Sequence, residues 1–183
     1  MDVEVRPAVG SYGDFATVVG PRKAGVRGCW CMSYRDSRVS AEERAAFMAD
    51  LCRNEPGPGV LAYVGGDVAG WCSVAPRSTY RRLTNARTIP FVDELDAWSA
   101  VCFVVRSGYR RRWLMHDLLA GAVEHGAPAI EGYPVDAGGE RVDVISGYVG
   151  TVALFEQAGF VRAASTTGVS GGVPRVVMRR ALA

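Results

Sequence analysis

Arg110, Arg111 and Arg112 stand together between two stretches of different periodicity, and that placement gives them a chemistry. Before them, Val101 to Val105 reads VCFVV, an apolar run of β-branched and aromatic residues that predicts a buried strand. Ser107-Gly108 signals a turn. After the arginines, Leu114, Leu118, Leu119 and Ala122 recur at helical spacing. The free N–H groups of a helix start, the positive end of its dipole and three guanidinium groups would then meet at one corner. Together they favour an anion, a phosphate above all. Without that context, three adjacent arginines are a solvated surface cluster. His116 and Asp117 fall on the first turn of the same helix, where His116 reads as a surface or supporting residue rather than a catalyst.

Elsewhere the reactive residue types are spread thinly. Glu131, in the run Ala129 to Val135, is the first candidate for a general base, with Asp136 just beyond it and Glu94 and Asp96 before the Val101 run. A carboxylate in a partly apolar cleft is raised toward neutrality and can take up a proton. The plainer alternative for each is an ion pair with a nearby arginine. Five cysteines are an odd number in a chain with no secretion signal, which predicts free thiols. Cys29 and Cys31 are spaced C-x-C with no second close pair, and both histidines lie far along the chain, so no metal site is expected. Cys102 has no histidine near it in sequence and reads as a buried thiol. Trp30 and Tyr34 lie in the long loop Gly20 to Arg38. With Tyr133 they could line a pocket for a flat or hydrophobic ligand, or simply cap the core.

The stretch VCFVVRSGYRRRWLM resembles the signature of the GNAT superfamily of acyl-CoA-dependent N-acyltransferases. In that family an apolar strand and a turn lead into Arg/Gln-x-x-Gly-x-Gly/Ala at the start of a helix that cradles the CoA pyrophosphate. The frame falls on Arg110, Trp113 and Met115. The arginine matches, and Trp113 and Met115 stand where the family has small residues. A glycine there lets phosphate oxygens approach the backbone, so the Trp113 indole would fold against the sheet, stack on the adenine or plug the site. Tyr148 to Phe160, YVGTVALFEQAGF, resembles the family's last helix, where Asn-x-x-Ala-x-x-Leu-Tyr precedes Glu-x-x-Gly-Phe.

The resemblance implies an α+β, GNAT-like fold, a mixed and mostly antiparallel sheet of about seven strands flanked by about four helices. It implies acetyl-CoA as co-substrate and a small-molecule amine that attacks the thioester directly in a ternary complex. Cofactor-binding positions would be Phe103, Val104 and Val105 on a bulged strand, Arg110, Arg111, Arg112 and Trp113 at the helix start, and Thr151. Catalytic positions would be Glu131 as base and Tyr148 as acid, with Trp30, Tyr34 and Tyr133 around the acceptor. Phe155 occupies the slot of the family's Tyr and has no proton to give, while Tyr148 and Thr151 take the slots of its Asn and Ala and offer hydroxyls. A second reading follows from the departures at Trp113 and Met115: a GNAT-fold protein that has lost CoA binding and sequesters a small molecule or runs other chemistry in the same cleft. A third, a protein acetyltransferase, has only the short acidic patch Asp93-Glu94-Leu95-Asp96 in its favour.

The elements that must position these residues alternate along the whole chain. Val3 to Pro7 predicts a strand, Tyr12 to Val19 a helix, and Ser40-Ala-Glu-Glu43 a capping box opening a second helix. Val60 to Val64 and Val68 to Val74 form a hairpin across Gly65-Gly66-Asp67. Ala75 to Asp96 is a long excursion before the Trp98 to Val105 strand, and the helix after it runs to about His125. Ala129 to Val135 is a strand, Asp136 to Gly147 a polar loop, and Tyr148 to Gln157 a helix. Phe160 to Ala164 and Arg175 to Arg180 are strands joined through the turn SGGVP. At 183 residues, 49% hydrophobic and 22% charged, residues 1–183 fit one domain with a sizeable core. A net charge of +2 gives no reason to expect nucleic-acid or membrane partners, and a homodimer is the partner such domains often find. MDVEVRPA is no signal peptide, which makes the expected location cytoplasmic.

Overall fold

The apolar run at Val101 becomes the middle of the molecule. The computed structural model describes residues 2–23, 26–125, 128–143 and 147–182; residues 24–25 and 144–146, parts of two expected loops, lie outside them. Among the described residues there are seven strands: β1 (Val3–Pro7), β2 (Gly59–Val64), β3 (Asp67–Pro76), β4 (Trp98–Val105), β5 (Ala129–Gly132), β6 (Val161–Ser170) and β7 (Val173–Ala181). They form one sheet in the order β1-β2-β3-β4-β5-β7-β6. Every neighbouring pair is antiparallel except β4 and β5. Five α-helices accompany them: α1 (Tyr12–Val19), α2 (Arg44–Arg53), α3 (Arg81–Thr84), α4 (Leu114–Glu124) and α5 (Val152–Gln157). This is the expected α+β architecture with one helix more, because the Ala75 to Asp96 excursion winds a single turn at α3.

Local chemistry explains most boundaries. Gly65 and Gly66 both take positive φ, 59° and 88°, the two-residue turn that matches the twist of a hairpin. Glu43 reaches back to Ser40 as a capping box should, with Ser40 N–H donating to its Oε2 at 3.1 Å, but residues 41–43 stay a turn and the helix begins at Arg44. α5 likewise begins four residues later than Tyr148, at the point where Thr151 Oγ1 accepts from Leu154 N–H. β5 stops at Gly132, two residues before Pro134, which has no N–H for a ladder.

The sheet separates two cores. Phe15, Met48, Trp71 and Tyr80 pack on the α1 and α2 face; Leu114, Leu118, Leu119 and Phe155 pack on the α4 and α5 face. Two irregularities then open the sheet at its centre. β4 and β5 pair only from Trp98↔Ile130 to Ala100↔Gly132, so the remainder of β4 has no ladder on that side. Against β3, Ser73 pairs with Cys102 and Val74 with Ala100, which leaves Val101 as the extra residue of a bulge. Val101 and Cys102 consequently both join the α1 and α2 core, and Phe103 returns to the other. Gly132 is required where the strands part, since a Cβ there would lie 2.0 Å from the buried Phe155 ring.

Candidate active site

The parted strands open into a cleft of about 720 Å³. One wall is Phe103, Val104 and Val105 of β4, followed by Arg110, Arg111 and the start of α4; the other carries Asp143, Tyr148, Thr151 and Leu154. The backbone of β4 is presented to this space. Arg106 N–H donates to the Ala69 carbonyl of β3 at 3.0 Å, so by strand alternation Arg106 and Val104 turn their peptide groups toward β3. Phe103 and Val105 turn theirs into the cleft, and the Val105 carbonyl accepts from Arg110 Nε at 3.1 Å.

At the cleft's mouth the arginine corner forms as expected. No side chain caps α4 at Trp113, which leaves the first N–H groups of an eleven-residue helix and its dipole available to an anion. Arg110, Arg111 and Arg112 are exposed and none makes an ion pair with a described residue. Arg112 is outside the cleft lining, while Arg110 and Arg111 belong to it. Trp113 does not plug the site. It is 73% exposed, its ring 5.0 Å from that of His116 at the rim, and its backbone is left-handed at φ 62° and ψ 8°. Arg111 is left-handed too, at φ 62°. The chain therefore adopts, at Trp113, a conformation that glycine takes without strain.

On the opposite wall, Tyr148 sits on a 3-10 turn, Gly147–Val149, half-buried. Burial, then the neighbouring Tyr34 phenol, pushes its pKa up, so it stays a proton donor. The Thr151 hydroxyl serves as the cap of α5. Phe155 is buried, edge-on to Phe103 and Phe160, and does not reach the cleft.

Three expected site residues are corrected. Glu131 is 1% exposed and both its oxygens are taken: Oε2 accepts from Arg77 Nη1 at 3.1 Å and Tyr133 Oη at 3.0 Å, Oε1 from Arg179 Nη2 at 2.7 Å. It is a structural ion-pair centre away from the cleft. Tyr133 is buried with its phenol held by Ser99 at 2.8 Å and by Glu131, so it offers a ligand no side-chain surface. Trp30 stacks on Tyr12 at 6.3 Å and leans on Phe15, capping α1. The other carboxylates weighed as bases are also engaged, Asp136 with Arg162 at 2.6 Å and Asp96 with Ser78 Oγ at 2.7 Å, save for the exposed Glu94. Tyr34 remains near the site, its hydroxyl accepting from Arg175 Nη1.

Sequence reasoning passed over Tyr109 and Asp143, cleft lining that no pattern marks. The cysteines are free, and Cys102 is buried beside Cys31; their shared hydrogen bond raises the Cys102 pKa and lowers that of Cys31.

No family model matches the chain, and no curated relative does. Solved structures do. A GNAT-family acetyltransferase from Bacillus cereus superposes with a TM-score of 0.59 at 13% identity, covering 100% of this chain and 99% of the other. A Corynebacterium glutamicum protein described as histone acetyltransferase HPA2 and related acetyltransferase gives 0.61 at 16%, covering 100% and 98%. Salmonella typhimurium yncA, solved with its cofactor acetyl-CoA, gives 0.56 at 16%, covering 99% and 94%. The chain has the fold of the GNAT acetyltransferases over its whole length. At these identities the likeness is one of fold.

Proposed function

We propose that this protein is an acyl-CoA-dependent N-acyltransferase acting on the amine of a small molecule. The observation that supports it is the convergence, in one cleft, of an unladdered β4 edge with an uncapped helix start flanked by Arg110 and Arg111. That donor set fits an acyl-CoA along its length. The α4 N–H groups and the two guanidiniums would hold the diphosphate, and the exposed peptide groups of Phe103 and Val105 would hold the pantetheine amides and the thioester oxygen.

Acyl-CoA supplies an activated acyl group, and the reaction joins it to the amine nitrogen as the carbon–sulfur bond breaks. The chain's own contribution is mainly placement, which can be worth ~7–11 kcal/mol. Tyr148, kept protonated, is the donor for the leaving thiolate. With Glu131 committed to arginines, the ammonium proton leaves through water in the cleft. Calorimetric titration with acetyl-CoA tests the reading: saturable binding that weakens in Arg110→Ala/Arg111→Ala supports it. Silence at millimolar ligand would return the chain to a binding protein that has abandoned CoA.

A further inference from the structure

Acyl transfer leaves one cluster of nucleophilic side chains unused. Cys31 and Cys102 are buried in the same core, and Cys29 is exposed two residues before Cys31. None of the three lines the cleft. Trp71 Nε1 donates to Cys31 Sγ at 3.1 Å, which fixes the thiol over β3. Trp71 and Ser73 share one face of that strand, and Ser73 pairs directly with Cys102 on β4, next to the bulge at Val101. Cys31 thus rests against Cys102, and the two sulfurs share a hydrogen bond.

These surroundings make Cys31 unlike an ordinary core thiol. Burial raises a thiol's pKa, and it pushes that of Cys52 up to about 11. Cys31 goes the other way. The hydrogen bond from Cys102 first, then that from Trp71 and the Arg35 charge, hold its pKa below the usual thiol value against the cost of burial. Such donors favour the thiolate, the form that attacks an oxidised sulfur. Cys31 is only 3% exposed and Cys102 7%, so an oxidant needs an entry point. Cys29 supplies it, exposed with Ser33 Oγ 3.8 Å from its sulfur. Between entry and core the backbone is left-handed at Trp30 and again at Cys31, φ 51° and 58°. Two such residues in succession, neither glycine, are costly, and functional loops are where that cost is kept.

We propose that Cys29, Cys31 and Cys102 form a peroxide-responsive relay, in which oxidation enters at Cys29 and ends as a reversible Cys31–Cys102 disulfide. Cys29 attacks one oxygen of hydrogen peroxide and becomes a sulfenic acid as the O–O bond breaks and water leaves. The Cys31 sulfur displaces that hydroxyl as a second water, giving a Cys29–Cys31 disulfide. Cys102 then attacks the Cys31 sulfur, and its proton passes to the released Cys29 thiol. In sum two thiols lose two electrons and two protons, and one peroxide becomes two waters. The bond ties the loop that carries Tyr34 to β4 beside the cleft, and it forms whether or not the cleft transfers an acyl group. The test treats the reduced protein with stoichiometric hydrogen peroxide, blocks the remaining thiols and maps every cysteine by mass spectrometry. The expected product joins the Cys31 and Cys102 peptides, reverts with dithiothreitol and leaves Cys52 and Cys72 as thiols. Cys29→Ser should form it several-fold more slowly, and Cys102→Ala should trap the Cys29–Cys31 disulfide. Cys31 and Cys102 remaining free thiols in the wild-type protein, whether or not Cys29 is oxidised, would overturn the proposal. An unchanged rate in Cys29→Ser would overturn it too. The decisive map is read on the wild-type chain, so it does not depend on a buried variant folding.

Discussion

Replacing Trp113 by glycine is the perturbation that most directly probes the phosphate corner. Trp113 holds φ 62° and ψ 8° immediately before α4. For an L-residue that conformation costs about 1 kcal/mol, and glycine occupies it freely. The indole returns little for this, because the residue is 73% exposed and its ring partner is His116 at 5.0 Å on the rim. The substitution should therefore stabilise the protein by about 1 kcal/mol, which in a domain of this size raises the melting temperature by roughly 2–4 °C. Differential scanning calorimetry with and without acetyl-CoA reads both consequences. With the indole lining the rim of the cleft rather than crossing it, affinity should change by less than ~10-fold, about 1.4 kcal/mol. A destabilisation of several degrees would mean that the ring packs on the fold. A much larger tightening would mean that it occupies the space the diphosphate needs. Either result refutes the geometry described for this corner.

Three further outcomes follow from the same geometry. Glu131→Gln strands Arg77 in the core and should lower stability by about 3 kcal/mol by denaturant titration, yet leave kcat of the folded fraction intact; a selective loss of kcat would restore Glu131 as a base. Tyr148→Phe should reduce kcat ~10²-fold with acetyl-CoA binding retained, and wild-type kcat should show no alkaline loss from this group below about pH 10, since burial raises the phenol's pKa; an unchanged kcat would remove Tyr148 from the mechanism. Stability should fall modestly and progressively below about pH 4, because the carboxylates involved are exposed and their pairs screened. Arg38 lowers the Asp36 pKa to about 2, and Arg179 and Arg162 lower those of Asp93 and Asp136, so their stabilisation is complete above the unfolded carboxylate range and is lost as pH falls through the lower folded values. A stability curve flat from neutrality to pH 2 would contradict those pairs.

The fold was largely legible because its elements are written in periodicity. The VCFVV run, the Gly65-Gly66 turn and the α4 stripe each depend on neighbours a few residues away. The arginine corner was legible for the same reason, since strand, turn and helix start are contiguous. What failed depended on contacts far apart in sequence. Glu131 alone looks like a carboxylate in an apolar strand, and only the fold brings Arg77, 54 residues away, and Arg179, 48 residues away, onto its two oxygens. Trp30 and Tyr133 failed likewise, because aromatic residues look the same in a core and in a pocket. The direction of the Trp113 side chain was undecidable, for it is set by a left-handed backbone that nothing in the tryptophan itself favours.

The bulge at Val101 links the two halves of the proposed site. A regular strand would have alternated without interruption, and one extra residue lets Val101 and Cys102 face the Tyr34 and Tyr148 side together. Phe103 and Val105 then point their side chains at the α4 core while their peptide groups edge the opening. The early end of β5 keeps that edge unpaired. An acyl thioester lying along it is thus reachable from the α1 and α2 face only through the gap between β4 and β5. On the acyl-transfer reading, the same break in the sheet that exposes the acyl carbon also admits the amine that attacks it.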